Sequence, residues 1–130
     1  MASLFKKIIK GEIPCYKVAE NDKFFAFLDI NPLQKGHTLV VPKKETDYIF
    51  DIEDSDLKEY ICFAKKIAVA IKKAYPCEKV GMAVIGLEVR HAHIHLVPMN
   101  KEGDLNFANT KLSFSEMEFN NIAANIAKNL

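Results

Sequence analysis

Residues 91–98 read His91-Ala92-His93-Ile94-His95-Leu96-Val97-Pro98. Three histidines alternate with apolar residues, and along an extended strand every second side chain shares a face. The spacing therefore predicts three imidazoles on one face, about 6.6 Å from one to the next. Ala92, Ile94 and Leu96 fall on the other face, which needs helix cover, so the strand is expected inside a sheet. The chain holds four histidines, and the fourth, His37, lies in a similar setting, Gly36-His37-Thr38-Leu39-Val40-Val41-Pro42. Imidazole titrates near neutral pH, so a cluster of it points to chemistry or metal rather than packing.

Working outward, the chain reads as alternating short strands and helices. Leu4 to Lys10 can form a short helix stopped by Gly11 and Pro14. Cys15 to Glu20 and Lys23 to Asp29 read as strands joined at an Asn21-Asp22 turn. Asn31-Pro32 to Gly36 is a loop, His37 to Val41 a third strand, and Thr46 to Ile52 a short helical turn. From about Ser55 to Tyr75, Leu57, Tyr60, Ile61, Ala64, Ile67, Ala68 and Ile71 recur at helical spacing. Asp54 or Ser55 is placed to cap that helix, and Asp56 suits its positive end. Strands resume at Lys79 to Ile85 and at Glu88 to Pro98. Met99 to Leu112 reads as polar loop. A last helix from about Phe114 to Lys128 carries Met117, Ile122, Ile126 and Leu130, with Ser113 and Glu116 fitting a capping box. Five strands with segregated helices predict an α+β domain: a mostly antiparallel five-stranded sheet, one long helix, and short N-terminal and added C-terminal helices.

Composition narrows the function. At 130 residues the chain is expected to be a single domain, 1–130, able to bury a real core. A hydrophobic share of 49% and a net charge of +1 give no electrostatic footprint for a long nucleic acid. No apolar run reaches the roughly 18 residues of a membrane span, and no signal peptide is expected. Cys15, Cys62 and Cys77 are not spaced as a metal knuckle and read as reduced thiols, which predicts a cytoplasmic protein.

Three kinds of function fit the histidines. Three imidazoles can hold a catalytic zinc, with His37 able to complete the set. A neutral imidazole is also a competent nucleophile at neutral pH. In that reading a central histidine attacks phosphorus while its neighbours donate to non-bridging oxygens, and an acceptor holds its tautomer. A nucleotide-binding or regulatory module with little catalysis is the third.

His91-Ala92-His93-Ile94-His95-Leu96-Val97 resembles the His-φ-His-φ-His-φ-φ signature of the histidine triad (HIT) superfamily, in its branch of nucleoside phosphoramidases and dinucleoside polyphosphate hydrolases. Lys7-Ile8-Ile9-Lys10-Gly11-Glu12-Ile13-Pro14 is similar to that family's N-terminal segment. Phe27-Leu28-Asp29-Ile30-Asn31-Pro32 and Gly36-His37-Thr38-Leu39-Val40-Val41-Pro42-Lys43 are similar to its nucleotide-side strands. The shared core runs over about 5–99, and about 100–130 is an added loop and helix. The resemblance implies cleavage at the α-phosphorus of a nucleoside phosphoramidate or a diadenosine polyphosphate through a nucleotidyl-histidine intermediate. It makes His93 the nucleophile, with His91, His95 and His37 as its helpers. It makes Asp29 the ribose acceptor, and puts Phe5, Ile8, Ile13, Phe27 and Ile30 in an apolar base pocket. Gly86 stands where backbone approaches phosphate. It implies a purine nucleotide such as AMP as ligand, a homodimer, no cofactor, and catalysis without metal.

The chain also departs from the family pattern. Ser3, Lys6 and Glu45 stand where many relatives carry zinc ligands, so no structural zinc is expected. Leu87 stands where many carry Gln, Glu88 where some carry a hydroxyl, and the preceding loop lacks an Asn.

Overall fold

The computed structural model describes residues 2–130. Five strands form a sheet in the spatial order β1-β2-β3-β5-β4, every neighbouring pair antiparallel. They are β1 (Lys17–Glu20), β2 (Phe24–Leu28), β3 (Thr38–Pro42), β4 (Lys79–Ala83) and β5 (Ile94–Met99). Asn21 makes the β1–β2 turn, its side-chain oxygen accepting from the N–H groups of Lys23 and Phe24 at 2.9 and 2.8 Å.

Three helices flank the sheet: α1 (Leu4–Ile9), α2 (Asp54–Ala74) and α3 (Glu116–Ala127). α2 and α3 cover one face. Phe24, Ala26, Leu28, Val40, Ile94 and Leu96 form the core there with Tyr60, Phe63, Ala64, Ile67, Ala70 and Ile71 of α2 and Phe119, Ile122 and Ile126 of α3. The opposite face carries a smaller cluster, in which Phe5 and Ile8 of α1 meet Phe25, Phe27, Leu39 and Val41. Because α1 has only six residues, it covers part of that face. His95 stands opposite Leu39 in the ladder, and cross-strand partners share a face, so the imidazole lies on the α1 side.

The expected architecture stands, and several local expectations are corrected. The triad segment is not one strand. The chain is irregular from Val84 to His93, and only His95 of the three histidines lies within β5. Had the ladder continued past Val40 and Ile94, Pro42 would face Ala92, and proline has no N–H to give. The Ala92 N–H instead donates to the Thr46 carbonyl at 2.7 Å. On α2, Ile61 is largely exposed while Phe63 and Ala70 are buried. Glu53 rather than Asp54 or Ser55 takes the N-cap position, without a side-chain bond. Ser-x-x-Glu occurs twice before α3, and the second copy, Ser115 and Glu118, forms the capping box. Met117 and Leu130 point to solvent. The stretch after β5 contains a 3-10 turn, Glu102–Leu105.

Candidate functional site

Two loops and the strand β5 deliver the four histidines to the α1 side of the sheet. His37 enters β3 after Gly36, whose φ of +100° is a left-handed value that favours glycine. His91 and His93 come from the irregular approach to β5, and His95 from the strand itself. His37 and His91 are almost wholly buried, at 1% and 0% exposed. The rings of His93 and His95 lie 4.9 Å apart, and those of His37 and His95 5.2 Å apart. The rings of His37, His95 and His93 therefore form one row, and His91 joins it through its main-chain carbonyl, 2.8 Å from His93 Nδ1.

The hydrogen bonds fix which nitrogen carries each proton. His93 Nδ1 lies 2.8 Å from the His91 carbonyl, which can only accept. Nδ1 is therefore the protonated nitrogen of the neutral ring, and Nε2 keeps a free lone pair. Phe5 meets His93 edge-on, with ring centroids 4.8 Å apart, and so restricts its rotation.

A second chain of bonds starts at a main-chain donor. The Leu33 N–H donates to His37 Nδ1 at 3.0 Å, so neutral His37 carries its proton on Nε2. That nitrogen lies 3.0 Å from His95 Nδ1, which must then accept. His95 is left with an Nε2–H to offer. Burial, with repulsion from neighbouring charge, pulls His37 down to about 3 and His95 down to about 4. Both rings are neutral at pH 7 and act as hydrogen-bonding groups.

His91 has a different setting. Its Nε2–H donates to the Pro42 carbonyl at 2.7 Å, and its Nδ1 lies 2.7 Å from the Ser3 hydroxyl. Ser3 also caps α1, accepting from the Lys6 N–H at 3.0 Å, and its own N–H donates to Glu45 at 2.5 Å. The Lys6 ammonium donates to the Lys43 carbonyl at 2.8 Å. Three residues marked in the sequence as departures, Ser3, Lys6 and Glu45, thus pin α1 to the end of β3 and to His91. The sequence pattern carried no signal of these bonds.

Asp29 sits at the end of β2, with one oxygen accepting from the Asn31 N–H at 2.8 Å and the other 3.6 Å from His37 Nε2. Burial raises its carboxyl above the usual range, opposed by the Asn31 bond. Phe5, Ile8 and Phe27 are buried in the smaller apolar cluster, where Phe5 meets the rings of His91 and His93, and Ile13 packs on the same cluster. Ile30 is 63% exposed and belongs to neither apolar cluster. Gly86 has a φ of +69°, and a Cβ there meets only the Val89 carbonyl, at 3.9 Å. The backbone angle rather than crowding calls for glycine. Phe107, from the loop after β5, was not among the expected residues, yet its ring centroid lies 4.7 Å from that of His95 and 6.4 Å from that of His37.

The fold and the histidine cluster match known proteins. The HIT domain family model covers residues 10–102. The chain belongs to the HIT family. It is 36% identical to the protein Hit of Bacillus subtilis, over 98% of this chain and 93% of that one. It is 39% identical to an adenosine 5'-monophosphoramidase of Saccharomyces cerevisiae, over 78% of this chain and 65% of that enzyme. A HIT-like protein from Bartonella henselae, solved by crystallography, superposes with a TM-score of 0.83 at 32% identity, over 98% of this chain and 96% of that one. The histidine cluster of this HIT protein supports enzymatic nucleotide processing. Among the described residues no helix is long and apolar enough to cross a membrane.

Proposed function

We propose that this HIT protein is a metal-independent nucleotide hydrolase, or nucleotidyl transferase, that cleaves nucleoside phosphoramidates or dinucleoside polyphosphates at the α-phosphorus. The observation that carries the reading is the bond from His93 Nδ1–H to the His91 carbonyl, which makes Nε2 the nitrogen that holds the lone pair in the neutral ring. Nε2 attacks phosphorus, and the bond to the leaving group breaks with its electron pair, so that a phosphate departs as an anion and a phosphoramidate nitrogen, protonated beforehand, departs as the neutral amine. The resulting nucleotidyl-histidine is hydrolysed by water, which restores His93 and releases the nucleoside monophosphate. His95 offers its Nε2–H to a phosphate oxygen, where charge builds during transfer. His37 holds His95 in that tautomer, and His91 supplies the carbonyl that orients His93. Asp29 accepts from the ribose hydroxyls. Phe5, Ile8, Ile13, Phe27 and Ile30 border the base, with Gly86 beside the phosphate. A purine nucleotide such as AMP fits this set.

Asp29, His37 and His95 each bring a candidate ligand atom within 4.8 Å of the others, a spacing that also suits a cation. The hydrogen bonds argue for the metal-free reading. His37 Nδ1 is taken by the Leu33 N–H and its Nε2 carries the proton shared with His95. Neither nitrogen has a lone pair free for a metal. Rapid acid-free quenching of a turnover with adenosine 5'-phosphoramidate, followed by intact-mass measurement, is expected to show a chain heavier by one AMP moiety. Turnover is expected to survive a chelator; loss of activity on chelation, restored by a divalent metal, rejects the metal-free mechanism.

We also assign this chain a homodimeric state. β4 is an edge strand, and Met82, Val84, Ile85 and Leu87 on it and just beyond it are exposed. Such an edge invites a partner strand. Sedimentation equilibrium is expected to return twice the chain mass, and Met82→Lys to return the monomer. The unpaired cysteines Cys15, Cys62 and Cys77 suit a reducing compartment such as the cytoplasm.

A further inference from the structure

We propose that the loop running from Phe107 to Lys111 is the phosphate-side wall of the histidine site, and that Lys111 provides the cation that binds the phosphate chain of the substrate. The proposal rests on the nucleotide reading above and adds to it a segment outside the triad and its neighbouring strands.

The loop is tied to the site at two points and braced within itself by Lys111. Phe107 packs edge-on against His95 and His37. The Leu112 N–H donates to the Pro32 carbonyl at 2.8 Å, which ties the loop to the turn between Asp29 and His37. The Lys111 ammonium donates to the carbonyls of Phe107 and, at 2.9 Å, Asn109. The charge is therefore fixed on the carbonyl of the residue whose ring touches His95. An ammonium has three donors, so one remains for a ligand.

The site needs such a charge. Burial holds His37, His91 and His95 toward their neutral forms, and the Asp29 carboxyl lies beside them. A phosphate bearing one or two negative charges would enter a pocket of neutral imidazoles next to a carboxyl. Burying an unpaired charge is costly. The other nearby cations are engaged elsewhere. Lys43 pairs with Glu20 at 2.9 Å and Arg90 faces Asp47 at 4.0 Å, while Lys6, held on the Lys43 carbonyl, acts on His91 at the α1 end of the cluster rather than on His37 and Asp29. The field of Lys111 reaches the site, lowering the proton affinity of both Asp29 and His37. Lysine on a flexible stem acts as a point charge for phosphate.

Calorimetric titration with adenosine, AMP and α,β-methylene-ADP tests the assignment in the wild type, Lys111→Met and Lys111→Arg. In the wild type affinity is expected to rise with each phosphate. Lys111→Met is expected to lose on the order of tenfold of the advantage of AMP over adenosine, the loss of one charge-assisted contact. Lys111→Arg is expected to keep most of it. An unchanged phosphate advantage in Lys111→Met overturns the proposal and leaves the nucleotide reading standing. Equal loss of adenosine and AMP affinity also overturns it, because the lysine then merely holds the loop. A wild type that binds none of the three overturns both.

Discussion

Turnover of adenosine 5'-phosphoramidate falls by on the order of 10⁴-fold or more in His93→Ala, the expected cost of removing a nucleophile. The size follows from the geometry. Only His93 has a bare nitrogen not already paired with a protein group: its Nδ1 is spent on the His91 carbonyl, and its neighbours point their accepting nitrogens at one another, at Ser3 or at the Leu33 N–H. No second imidazole is positioned to take over. The fold should survive, because the ring packs on Phe5 outside the main core between the sheet and α2. The control is nucleotide affinity, which should stay within severalfold of wild type while turnover disappears. His95→Asn is expected to lose less, on the order of 10²-fold, as for removal of one donor to a charged transition state. A His93→Ala protein that still turns over within tenfold of the wild type rejects the covalent mechanism.

Acid should unfold this protein through its histidines. His37 and His95 have folded values of about 3 and about 4, while an unfolded imidazole titrates near about 6.5. Below that value the unfolded chain binds protons that the folded chain refuses, so stability rises with pH in this window and falls as pH is lowered. The stabilisation is fully present above about 6.5 and is lost as the pH falls toward the folded values. Each proton contributes a slope of about 1.4 kcal/mol per pH unit, so the two rings together give up to about 2.7. Asp29 acts in the opposite sense, since burial raises its carboxyl and the folded state then holds a proton more readily than the unfolded one. The loss therefore sets in near pH 6.5 and is steepest at about pH 5 to 5.5. Urea unfolding across that range should show it, and His37→Asn should roughly halve the slope. An equal slope in that variant removes His37 as a source.

Much of this was legible in the residues. The alternation of His91, His93 and His95 marked the α1 face of the sheet, and the helical spacing of Tyr60, Ala64, Ile67 and Ile71 located α2. Turn chemistry at Asn21 gave the first hairpin. What was not legible depended on main-chain groups and on contacts distant in sequence. Strand periodicity is a statement about side chains, and it continued through His91 and Ala92 although the backbone there pairs with Thr46 rather than with β3. The Ser-x-x-Glu pattern occurred in two overlapping copies, and only tertiary packing selects one. Phe107 and Lys111 lie in a polar loop without period. The bond from Leu112 to Pro32 that brings them to the histidines has no local signature.

The protonation pattern of the cluster is written largely by peptide groups. The His91 carbonyl sets His93, the Pro42 carbonyl sets His91, and the Leu33 amide sets His37 and through it His95. No particular side chain is needed at positions 33 or 42 to make these bonds. The chemistry of the site is thus insulated from residue exchange along these loops and exposed to changes in their length. One residue inserted or deleted between Asp29 and His37 shifts the amide that sets His37, and the rings then exchange donor and acceptor roles with every catalytic residue still in place.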